Sequence, residues 1–146
     1  MASILFLATG LLLGVPADGD AKAELAKLQG TWRIVAIEEN GKSAPEEAVR
    51  SLKGTVIVEG DKHTLKYGER SQGTVTVAVN PEADPKHYDM TIPEGPQKGT
   101  IQRGIYELKD GTWKYCQDKG GKGRPTEFSG KAGSGWVLVV MKKVEP

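Results

Sequence analysis

From Thr31 onward, Gly, Pro, Asn and Asp interrupt the chain at intervals of about 8 to 12 residues, and helical periodicity disappears. Such spacing constrains the chain to short strands joined by tight turns, as in an all-β sandwich or barrel. Eight strands are predicted: Thr31–Glu39, Thr55–Glu59, His63–Tyr67, Gly73–Val79, Lys86–Ile92, Thr100–Leu108, Thr112–Cys116 and Trp136–Lys143. Asn40-Gly41 ends the first, and Gly60-Asp61 and Asp110-Gly111 mark hairpins. Val75, Val77 and Val79 alternate with Thr74 and Thr76, and Tyr88, Met90 and Ile92 with His87, Asp89 and Thr91. That pattern gives each strand one dry and one wet face, as a closed antiparallel barrel of eight strands requires. Trp136 to Met141 is apolar on both faces, so its outer side needs a cover, most simply the N-terminal helix.

Two short helical segments complete the reading. Asp18 to Gln29 is rich in Ala, Leu, Lys and Glu and stops at Gly30, and Pro45 to Lys53 begins with Pro45, Glu46 and Glu47. With 146 residues, one core serves one domain, placed at 18–146. Ahead of it, Met1 to Ala17 lacks any charged side chain and is apolar from Ile4 to Val15 apart from Thr9, Gly10 and Gly14. The run is too short to span a bilayer and reads as a signal peptide cleaved after Ala17. No Cys follows it, so it offers no thiol for a lipid anchor. The mature chain is thus expected in the periplasm or outside the cell, with no stable membrane anchor.

The lone Cys116 cannot form an intramolecular disulfide and is expected to be a small buried hydrophobe. Twenty basic against nineteen acidic side chains leave a net charge of +1, which argues against nucleic-acid binding. His63 and His87 are the only histidines and lie on different strands. The cluster Asp84, His87 and Asp89 therefore reads as a solvated strand face, and no metal or cofactor is expected. No Gly-x-Ser-x-Gly elbow or spaced carboxylate pair is present, so an enzyme is the least favoured class. The glycine-rich segment 119–135 matches no phosphate-binding motif and reads as a long mobile loop, with Lys122 and Arg124 as contact residues for an anion or a protein partner.

Aromatic residues carry more information. Trp32, Tyr67, Tyr88, Trp113 and Tyr115 occupy different strands, apart from Trp113 and Tyr115, which share one strand face. They either fill a barrel or line a cavity. Arg103, between Ile101 and Ile105, joins Tyr88, Trp113 and Tyr115 as a ligand contact if its face is internal, because a buried guanidinium must be paired.

Gly30-Thr31-Trp32, the eight strands, Gly104-Ile105-Tyr106-Glu107-Leu108, Arg124-Pro125-Thr126-Glu127-Phe128 and Gly133-Ser134-Gly135 together resemble a lipocalin-like secreted domain of unknown function recurrent in planctomycete proteins. The likeness covers about Leu25 to Lys143. In lipocalins the Trp of Gly-x-Trp closes the barrel base beneath an Arg of the last strand; here Gly30 and Trp32 would form that plug, with Lys142 and Lys143 in place of the Arg. The resemblance implies an eight-stranded lipocalin-like barrel and brings no catalytic residue or cofactor. A monomer that binds a small apolar or amphipathic ligand is the expected function. The alternative is a solid-core interaction or cell-envelope module that uses the 119–135 loop.

Overall fold

The computed structural model describes residues 18–145; the expected signal peptide lies outside the described residues. The elements run α1 (Asp18–Leu28), β1 (Gly30–Glu39), β2 (Lys42–Ser43), α2 (Glu46–Leu52), β3 (Gly54–Glu59), β4 (Lys62–Tyr67), β5 (Arg70–Asn80), β6 (Lys86–Thr91), β7 (Ile101–Lys109), β8 (Thr112–Asp118) and β9 (Trp136–Lys143). Every ladder is antiparallel, and β1 pairs with both β3 and β9, which closes an eight-stranded, lipocalin-like barrel. The two-residue β2 folds back on the end of β1, Glu38 opposite Ser43. It is the only strand among the described residues that the sequence reading omits.

Turn chemistry accounts for the tightest connections. Asn40 and Gly41 lie at φ 54° and 72°, and Asp110 and Gly111 at 53° and 74°. Left-handed backbone at both central positions matches the right-handed twist of the flanking strands, and Asn, Asp and Gly adopt it at least cost. A register shift between Ile34 and Ala36 bends β1 where it leaves β3 and continues along β9.

One end of the barrel is solid. Trp32, Trp113, Tyr88 and Tyr106 are almost wholly buried, and Trp113 meets Trp32 edge to face at 5.4 Å and Tyr88 at 5.7 Å. Helix α1 lies across this end with Leu28 fully buried and Ala21 and Leu25 packed beside it. The Trp32 indole Nε1 donates to the Leu28 carbonyl at 2.7 Å, so the backbone of the helix end accepts the one polar group of the plug. Lys143, not Lys142, covers Trp32: its Nζ lies 5.6 Å from the ring centroid and donates to the Gln29 carbonyl at 2.9 Å. Glu24 ties the helix to the wall, accepting from Lys86 at 2.7 Å and from the Tyr106 hydroxyl at 2.9 Å, with Lys27 at 2.7 Å. Burial pushes the Glu24 carboxyl up, but these donors outweigh it and hold the group at about 2.

The outer face of β9 is covered by a different element from the one expected. Ile105 and Cys116 are buried yet stand apart from the interior cluster, because they point outward on β7 and β8. They lie in one cross-strand row with Leu138 and Glu38. Residues 119–135 cross this row as a strap, while α1 is occupied at the barrel end. The Cys116 thiol donates to the Ser129 carbonyl at 3.3 Å, and the Gly130 N–H donates to Glu38 Oε1 at 3.0 Å. Pro125 is fully buried, and Lys131 sits 5.0 Å over the Trp136 ring. The segment read as a mobile loop is therefore packed in its middle, where Gly130 serves close contact, while Gly121, Gly133 and Gly135 supply left-handed backbone. A Cβ at Gly130 would fall on the Glu38 carbonyl.

Candidate functional site: a cavity in the open half of the barrel

Beyond the aromatic layer the interior is not filled. Inward positions there carry Gly73 and the modest side chains Val56, Leu65 and Val75, leaving a cavity of about 920 Å³. Gly104 has no room for a side chain, since a Cβ would stand 2.7 Å from the Cys116 carbonyl and 3.0 Å from that of Tyr88. Leu65, Val75 and Met90 supply apolar walls, His63, Tyr88 and Tyr115 a polar aromatic floor with Gln117 beside it, and Gln72, Glu94 and Gln102 polar groups towards the mouth. The volume falls within the range of about 300 to 1,000 Å³ typical of small-molecule sites.

The floor is held by a hydrogen bond of 2.6 Å between Tyr88 Oη and His63 Nδ1, with Tyr115 stacked 5.4 Å from the Tyr88 ring. Burial pushes the His63 imidazole down to about 4, against a small opposing effect of Asp61, so the ring is neutral at neutral pH. Burial, then the neighbouring Tyr115, raises the Tyr88 phenol well above its ordinary range. Tyr115 is raised likewise, by burial first and Tyr67 second. His63 Nε2, Trp113 Nε1 and Gln117 Oε1 are buried with no hydrogen-bond partner among the described residues.

Of the expected ligand contacts, Tyr88 and Tyr115 line the cavity. Trp113 does not: it lies fully buried between Trp32 and Tyr88 and supports the floor from below. Arg103 is corrected outright. Gly104 and Tyr106 take the inner face of β7, so Arg103 points outward and is exposed. Arg124 is corrected too, because it is an anchor of the strap and not a free loop contact. Its Nη1 donates to Asp89 Oδ1 at 2.6 Å and to the Gly104 carbonyl at 2.7 Å, and its Nη2 donates to Asp89 Oδ2 at 3.2 Å. Asp89, read as part of a solvated face, is thus the partner of a fork of charge-assisted bonds. Lys122 is exposed.

His63 and Gln117 escaped the sequence reading as cavity residues. His63 shares the inward alternation of Leu65, which was a usable signal, whereas Gln117 lies one residue beyond the predicted end of its strand. Among the described residues, no group of three or more His, Cys, Asp or Glu could hold a metal ion. Among them also, no helix is long and apolar enough to cross a membrane. No family model, curated protein or solved structure matches the chain, so the functional reading rests on the cavity itself.

Proposed function

We propose that this chain is an exported, monomeric, lipocalin-like binding protein that takes one small amphipathic molecule into the open half of its barrel. A cavity of about 920 Å³, with apolar walls and a few polar groups at floor and mouth, is the observation that carries the reading. The solid end supports it, since the Trp32 plug and α1 make a rigid base that does not compete for the space above. The rival use of the 119–135 segment as a contact loop is weakened by the engagement of Arg124 with Asp89.

Fluorescence titration with the neutral dye N-phenyl-1-naphthylamine tests the reading. The expected result is blue-shifted emission that saturates at one dye per chain, weakened in Val75→Trp, whose indole projects into the cavity, while the circular dichroism of the variant is unchanged. Absence of saturable binding to the wild-type protein, together with no bound small molecule in native mass spectrometry, would sink the proposal.

A further inference from the structure

The cavity interior carries hydrogen-bonding capacity without charge. Lys62 and Glu94 are the only residues with charged side chains among those that line it. The Lys62 ammonium is turned to the outside, 3.7 Å from Asp61 and 2.7 Å from the Thr76 hydroxyl. Glu94 follows Ile92 and Pro93 on the connection beyond β6, at the mouth. Below the mouth the polar residues are His63, Tyr88, Tyr115 and Gln117, all neutral.

Two of these are incompletely satisfied. Gln117 Oε1 is an acceptor with no donor among the described residues. For His63, Nε2 lacks a partner in either tautomer: a phenol that donates to Nδ1 leaves an Nε2–H with no acceptor, and an Nδ1–H that donates to the phenol leaves Nε2 an acceptor with no donor. His63 as a residue is only 3 % exposed, so bulk water does not serve it. Buried polar atoms without partners are uncommon in folded proteins and destabilising where they occur. Both residues border the cavity but these two atoms lie beneath its wall, so a guest that can both donate and accept relieves them once the side chains turn towards it, whereas an ion placed there loses its hydration with no opposite charge to meet it.

We infer that the site selects an uncharged amphiphile headed by a hydroxyl or primary amide, which Gln117 and His63 recognise, over a fatty anion or cation of the same length. The inference rests on the binding reading above and names the ligand class for that same cavity.

Displacement of N-phenyl-1-naphthylamine by n-decanol, decyl methyl ether, decanoate and decylammonium distinguishes the outcomes. The expected order places decanol first, displacing dye at a concentration at least about tenfold lower than either ion, as burial of an unpaired charge demands. The ether, which accepts but cannot donate, should fall between. Gln117→Leu should narrow the gap between decanol and the ether. His63→Phe should lower affinity for decanol, and if that variant does not fold, Gln117→Leu alone decides. Decanoate or decylammonium equal to decanol, or a gap between decanol and the ether that Gln117→Leu leaves as wide as in the wild type, overturns the head-group inference while dye binding stands. Failure of the dye itself to bind overturns the cavity reading and this inference with it.

Discussion

Replacing Arg124 by Leu, which keeps the apolar stem and deletes the guanidinium, tests whether the strap is held by a charge pair. Three hydrogen bonds are lost, two to the Asp89 carboxylate and one to the Gly104 carbonyl. The two side chains are 22 % and 31 % exposed, so the pair is neither a surface bridge nor a sealed one. Exposed bridges are worth about 0–1 kcal/mol, and breaking a fully buried one costs about 3–5 kcal/mol. An intermediate loss of about 2 kcal/mol follows, a change of roughly 30-fold in the ratio of folded to unfolded chain. Urea unfolding of wild type, Arg124→Leu, Asp89→Asn and the double variant reads this directly. A lower midpoint with an unchanged slope is expected, and a coupling energy of about 1 kcal/mol or more between the two sites. Hydrogen exchange should quicken in residues 124–130 before it does in the strands. Unchanged midpoints and additive single effects would refute the claim that Arg124 and Asp89 act as one anchor.

Other perturbations separate the two halves of the barrel. Trp32→Ala should cost about 3–5 kcal/mol in a thermal melt through the cavity it leaves, and Trp32→Phe less, while the folded fraction of either variant still binds dye because Trp32 does not line the cavity. Gly130→Ala should lift the strap from Glu38, seen as faster reaction of Cys116 with a thiol reagent at native conditions, where the wild-type thiol is fully buried. Stability should fall with acid in two stages. The His63 imidazole titrates near 4 when folded, against an ordinary value of 6.5, so the unfolded chain binds more protons between these values and stability declines as pH falls through that window. Glu24, held at about 2 against an ordinary 4.5, adds stability that is present above 4.5 and lost as pH falls towards 2. Denaturant midpoints across the pH range should lose the lower stage in Glu24→Gln and keep the upper one.

Strand alternation and turn residues made the barrel legible from the chain, because both act over a few neighbouring residues. Asn40-Gly41 and Asp110-Gly111 demand left-handed backbone locally, and Val75 to Val79 shows its inner face without reference to any partner strand. Which face of β7 is internal was harder to read, since Ile101, Ile105, Tyr106 and Leu108 place apolar groups on both sides. Ile105 misleads there: it is buried from outside, beneath the strap. The doubly apolar β9 correctly demanded an outer cover, but the cover was sought in the nearest amphipathic helix. Glycine richness obscured the strap, whose hold depends on Arg124 meeting Asp89, 35 residues earlier in the chain. The cavity depends on Gly73 together with the modest side chains of Val56, Leu65 and Val75 on three different strands, which no local pattern discloses.

Seven of the eight ladders that make up the barrel join strands that are close in sequence, and only β1 with β9 links the beginning of the domain to its end. During synthesis, a growing chain that has made β8 but not β9 presents two bare edges, on β1 and on β8, with the indole of Trp32 still lacking Lys143. Completion is therefore a single late event that removes both edges at once, and a premature stop before Trp136 should yield a sticky open sheet instead of a weaker barrel.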